Sequence, residues 1–139
     1  MKLVGLNFKK ISVEKLADKA ENVKVETKID ISEISTVKAD LFKTRDEFLG
    51  VKFSYAINYS PNYAKIEFKG DLLISLDQKH AREVLKQWKD KKVEDDFKIF
   101  VFNAVLRKAN LKAMQLEDEI NLPLHIPLPT IRKEDHSKK

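Results

Sequence analysis

The strongest constraint on the fold is a strict alternation in the middle of the chain. Leu49, Val51, Phe53, Tyr55, Ile57 and Tyr59 occupy every second position from about Phe48 to Tyr59. Ala64, Ile66, Phe68, Leu72, Ile74 and Leu76 share one parity from about Tyr63 to Leu76. A period of two places each set on one face of a strand. Ser60-Pro61-Asn62 between them is a turn signal, so the two runs predict an antiparallel hairpin. Gly70 falls inside the second run, where a bulge or a close backbone approach is expected.

Two further strands precede the hairpin. Val23, Val25, Thr27, Ile29 and Ile31 alternate with Lys24, Glu26, Lys28 and Asp30, which predicts one buried and one wet face. The stretch from Leu3 to Val13 is ragged, because Leu6 and Phe8 differ in parity from Ile11 and Val13. A bulge near Lys9-Lys10 restores a common face. Glu14 to Asn22 reads as a loop or a short helical turn. Ser32 to Glu47 carries Ile34, Val37, Leu41 and Phe42 without a steady period, and its length predicts a crossover of the sheet rather than a tight hairpin.

Helical spacing replaces alternation after Leu76. Asp77 is a good N-cap for a helix to about Asp90, with Ala81, Val84, Leu85 and Trp88 as its apolar stripe. Glu94, Asp95 and Asp96 load the start of a second helix, to about Glu117, with the charge that the helix dipole favours. The expected fold class is therefore α+β: a twisted antiparallel four-stranded sheet followed by two C-terminal helices.

The second helix is greasy over most of its circumference. At about 100° per residue, Phe97, Phe100, Val101 and Ala104 lie on one side and Ile99, Phe102 and Leu106 on the other. One sheet cannot cover both sides, so a second cover is expected. The Pro-punctuated tail Leu122-Pro123-Leu124-His125-Ile126-Pro127-Leu128-Pro129, a second copy of the chain, and a bound polypeptide all fit that role.

Composition narrows the class. With 139 residues the chain suits one domain, and with no Cys it has no disulfide and no thiolate metal site. Charged residues make up 35%, no secretory leader is expected from the first ten residues, and no apolar run approaches the roughly 18 residues a membrane span needs. The net charge of +5 is carried mainly by Lys. Lys79, Arg82, Lys86, Lys89, Lys91 and Lys92 form a basic ridge that could track phosphates, although Glu83 and Asp90 interrupt it and no RNA-recognition aromatic motif accompanies it. His80, His125 and His136 have no metal-ligand spacing, and no Gly-rich phosphate loop or nucleophile elbow is present. Asp95-Asp96 is explained by the helix dipole and Glu117-Asp118-Glu119 by solvation. No catalysis and no cofactor are expected.

The order of these elements resembles the SecB-type export chaperone family. Ile11-Ser12-Val13-Glu14 is similar to the family's first strand, and Val23-Lys24-Val25-Glu26 with Ile29-Asp30-Ile31 to its second. Phe97 to Ala109, with Phe102 and Arg107, resembles the last helix, and Leu122 to Pro129 the apolar, Pro-containing end. The resemblance covers roughly Leu3 to Ile131, which defines one SecB-like domain over residues 1–131 and a charged flexible tail over 132–139. It implies a cytoplasmic, ATP-independent holdase that binds unfolded polypeptides in apolar grooves, with protein export as one setting. It also implies a dimer or a dimer of dimers. The bacterial export chaperones are acidic where this chain is basic, so docking to a translocase motor does not carry over. The expected client-binding residues are Leu41 and Phe42 from the crossover, Phe97, Phe100 and Val101 from the second helix, and Leu122 and Leu124 from the tail; ordinary core packing is the alternative for each. Trp88 is expected in the core or at an oligomer contact. A nucleic-acid-binding or ribosome-associated protein using the basic first helix is the rival reading.

Overall fold

A computed structural model describes residues 1–19, 22–38, 45–131 and 133. The chain forms β1 (Lys2–Lys15), β2 (Lys24–Val37), β3 (Glu47–Ser60), β4 (Ala64–Leu76), α1 (Gln78–Trp88) and α2 (Asp95–Glu119). The four strands make one antiparallel sheet in the order β1-β4-β3-β2, with the helices packed on one face. The α+β architecture is the one the hydrophobic pattern demands.

The two interior strands are those with the cleanest alternation. Every apolar residue named above for β3 and β4 is buried, because both strands have neighbours on each side and helices over one face. The opposite face is small and polar, with Ser54, Ala56 and Asn58 beside Lys65, Glu67 and Lys69. Lys10 reaches Glu67 at 2.6 Å there and, with Lys65 nearby, holds that carboxyl below its ordinary range. Asn62 turns the hairpin at φ 46°, a left-handed conformation Asn tolerates. At Gly70 a Cβ would lie 2.2 Å from the Asn7 carbonyl oxygen, so only Gly allows β1 to come this close.

The edge strands depart from the sequence reading in instructive ways. β1 shifts register between Phe8 and Lys10, where a bulge was expected, and again between Leu3 and Gly5. β2 runs to Val37, beyond the regular alternation, because a register shift between Ile31 and Glu33 returns Ile34 to the buried face opposite Val51. The expected crossover after β2 is therefore a misreading. β2 and β3 are antiparallel neighbours, with Val37 opposite Phe48. The chain instead crosses between β1 and β2, which lie at opposite edges. That crossing starts as irregular chain rather than helix, and the Leu16 and Ala17 amides donate to the Tyr63 carbonyl at 2.8 and 3.3 Å.

The helices follow their caps. The Asp77 carboxylate accepts from the His80 amide at 2.7 Å at the start of α1. Phe97, Val101, Val105, Ala109, Ala113 and Leu116 form the buried stripe of α2. No helix among the described residues is long and apolar enough to cross a membrane.

Candidate functional site

Phe97 and Val101 are 0% exposed and belong to the core under α2. Leu122 is likewise buried, its amide donating to the Glu117 carbonyl at 2.8 Å. These three do not line an open groove: the stripe that faces the sheet is fully covered within one chain. Phe100 and Leu124 are half-buried. Leu41 and Phe42 lie outside the described residues. Of the far side of α2, Ile99 is 56% exposed and Phe102 and Leu106 are half-buried. The tail does not cover that side; it folds onto the C-terminal end of α2, and Leu128 and Ile131 remain exposed.

Two grooves flank α2. The first, of about 580 Å³, lies along the β2 edge. Ile29 to Ser32 form one wall, and Trp88, Lys91, Lys92 and Val93 from the α1–α2 junction form the other. Lys98 and Phe102 close its α2 side. Its cations sit on its aromatics: Lys91 Nζ is 4.6 Å from the Trp88 ring centre and Lys98 Nζ 5.6 Å from that of Phe102. The junction is held in place by its own polar contacts. Gln87 Oε1 accepts from the Glu94 amide at 2.8 Å, and the His80 ring nitrogen pairs with the Glu94 carboxylate. Lys91 takes φ 58° as α1 ends, and the Lys92 amide returns to the Gln87 carbonyl at 3.2 Å.

The second groove, of about 560 Å³, runs between β1 and α2. Leu3, Leu6, Phe100, Ala104 and Leu111 give it an apolar lining, with Arg107 and Lys108 at its margin. Lys108 Nζ donates to the Leu6 carbonyl at 2.9 Å and ties helix to strand. Leu111 is 67% exposed here.

A third feature was not foreseen. Glu117, expected to be solvated, is fully buried. The Tyr59 hydroxyl pairs with its carboxylate and also lies 2.7 Å from the Pro123 carbonyl. His125 Nδ1 lies 2.9 Å from both carboxylate oxygens, and its Nε2 lies 2.9 Å from Asn110 Oδ1. Tyr55 donates to the same Asn110 oxygen at 2.8 Å. No buried side-chain polar atom among the described residues lacks a partner. Burial, then the Glu117 charge, pushes the Tyr55 phenol up to about 12. Burial and the Glu117 hydrogen bond raise Tyr59 as well. The sequence did carry a signal: Glu117 stands four residues after Ala113 on the buried side of α2, and His125 sits between Leu124 and Ile126.

No protein-family model and no curated protein matches the sequence. The fold does have a solved counterpart. It is similar to a Mycobacterium tuberculosis SecB-like chaperone, solved in complex with a ChAD peptide from an antitoxin, at a TM-score of 0.51 and 8% identity. The match covers 94% of this chain and 91% of that one. This chain has a SecB-like fold. At that identity the likeness concerns the path of the backbone.

Proposed function

We propose that this protein is an ATP-independent holdase that binds non-native polypeptides and keeps them from aggregating. The observation that carries the reading is the groove beside β2. It joins half-buried apolar side chains to a strand edge that has no neighbouring strand among the described residues. An unfolded client exposes apolar side chains and unpaired backbone together, and such a groove meets both needs. Burial of apolar surface supplies roughly 25 cal/mol per Å², and several weak contacts on one long client reinforce one another. The SecB-like fold supports the same reading.

The groove walls in this proposal are Ile31, Trp88 and Phe102, with Phe100 and Leu111 lining a second contact across α2. Trp88 packs half-buried against the core, as expected, and its remaining surface serves as groove wall in this proposal. Self-association into a dimer or a dimer of dimers belongs to the proposal, supported by the exposed Ile99, Leu111 and Leu3. Residues 1–131 act as one unit in it.

The test is suppression of aggregation of an unrelated unfolded protein, without nucleotide. Protection at modest molar excess is expected, and Trp88→Ala should weaken it while leaving the fold intact by circular dichroism. Absence of protection at several-fold excess defeats the proposal. Light scattering at micromolar concentration tests the assembly, and a strict monomer counts against it.

A further inference from the structure

The lysines on the two faces of this molecule are treated differently. On the sheet face away from the helices, Lys9, Lys10, Lys52 and Lys65 lie 2.6 to 3.8 Å from carboxylate oxygens. On α1 and the junction after it, Lys79, Arg82, Lys86, Lys89, Lys91 and Lys92 are all exposed. None of these six makes an ion pair among the described residues. We infer that this ridge and the groove at its end form a binding site for single-stranded nucleic acid, with phosphates on the α1 cations and bases against Trp88 and Phe102. This is a second function beside the holdase reading and does not rest on it.

Helix geometry turns the ridge into a line. At about 100° per residue, Lys79, Arg82, Lys86 and Lys89 fall within an arc of about 80°, and the buried Val84 lies on the opposite side. The line therefore faces outward, with roughly one cation for each turn of about 5.4 Å. That pitch is close to the step between successive phosphates of an extended strand. Lys89 caps the helix, so the line runs on into Lys91 and Lys92. Nearby carboxylates are engaged elsewhere: Asp77 accepts from the His80 amide, and Glu94 pairs with the His80 ring. Glu83 stands on the flank of the line, about 40° beyond Lys79. Asp90 follows the helix end, so the six cations outnumber the two remaining acids.

The groove supplies what a row of cations lacks. Its volume of about 580 Å³ has room for a base with its sugar, and it joins Lys91, Lys92 and Lys98 to the half-buried rings of Trp88 and Phe102. Lys91 Nζ and Lys98 Nζ lie 4.6 and 5.6 Å from those ring centres, so charge and aromatic surface meet in one place. Cations that track a backbone beside rings that receive bases hold single strands without reading their sequence. His80 and Gln87 both hold Glu94, so the junction carrying these groups is fixed before a ligand arrives. A duplex fits less well, because its bases are paired and stacked inside it and cannot enter the groove. An acidic polypeptide meets the lysines but brings no planar base to the rings. The groove is also the one proposed for clients, so RNA and client compete for it.

The full-length protein is titrated with a labelled oligouridylate of about twelve nucleotides, followed by fluorescence anisotropy. Trp88, the chain's single tryptophan, reports the groove in the same titration. Affinity on the order of micromolar is expected at low salt, with a log–log salt slope of about −3, as about four phosphate contacts give. Uracil entering the groove should quench Trp88. Arg82→Glu with Lys86→Glu should weaken binding by about tenfold or more. Lys9→Glu with Lys52→Glu makes the same change in net charge on the sheet face and should leave affinity within about twofold. Circular dichroism checks that both double variants fold. An abasic oligomer of the same length should bind more weakly and leave Trp88 unquenched. No binding, an unquenched Trp88 with the oligouridylate, equal loss in the two double variants, or equal affinity for the abasic oligomer would each overturn the inference. Tighter binding of polyglutamate or of phosphatidylglycerol vesicles than of the RNA would do the same.

Discussion

Both ends of α2 bring aromatic rings next to charged side chains, yet the two ends do opposite things with them. At the C-terminal end, Tyr59, Glu117, His125 and Asn110 face inward and satisfy one another. At the N-terminal end, Lys91 and Lys98 sit over Trp88 and Phe102 at the rim of an open groove, with no ion-pair partner among the described residues. A closed set of donors and acceptors fixes a structure, because every member loses if one is removed. An unmatched set beside an apolar wall leaves binding capacity unspent. The difference separates what holds this molecule together from what it offers to others.

Substitutions should part the two ends along that line. Glu117→Ala is expected to have the largest effect, about 3–5 kcal/mol of stability, because it leaves His125 Nδ1 without its buried partner and opens a cavity beside Tyr59. Urea unfolding followed by circular dichroism measures it, and a loss below 1 kcal/mol would show that the cluster is not sealed in solution. Tyr59→Phe removes the hydroxyl that meets both Glu117 and the Pro123 carbonyl, and should cost about 1–3 kcal/mol.

Alkaline pH probes the same end without mutation. The Tyr55 phenol stands at about 12 in the fold against an ordinary 10.0. The unfolded chain therefore releases its proton first, so the stabilisation is complete below 10.0 and declines as pH rises towards about 12. Tyrosinate absorbance should lag for Tyr55 and Tyr59 in the folded protein, and Tyr55→Phe should flatten the alkaline decline. A folded protein whose tyrosines all ionise at the ordinary value would contradict this. The smallest effect on stability belongs to the open end. Lys92→Glu with Lys98→Glu should change unfolding free energy by no more than about 0.5 kcal/mol, measured by the same urea unfolding.

The same contrast explains what the sequence made legible. β3 and β4 could be read residue by residue, because each is buried on one face for its whole length and alternation is the direct imprint of that. β2 was read short because the bulge after Ile31 inverts parity, and a pattern that changes phase looks like a pattern that stops. The connection after it then seemed long enough to cross the sheet, although its first residues are still strand. At α2, apolar residues all round were visible, but Phe97 and Val101 turned out to be the covered side. Sequence period fixes which residues share a face and leaves open which face meets the sheet. Glu117 escaped because Asp118 and Glu119 beside it made an ordinary charged helix end, and its partner His125 lies beyond the helix. The groove escaped for a different reason. Its walls come from β2, the α1–α2 junction and α2, and no local pattern joins three such segments.

The placement of β1 beside β4 has a consequence for how the molecule comes into being. As the chain is synthesised, the first strand appears long before β4, the strand it pairs with among the described residues, and the second must wait for the third. The second and third strands can pair as soon as both exist, whereas the first must wait for the fourth, so the sheet closes on its own beginning. Until residues 64–76 emerge, the nascent N-terminus is itself an unpaired, sticky strand, in need of the kind of shelter the finished protein is proposed to provide.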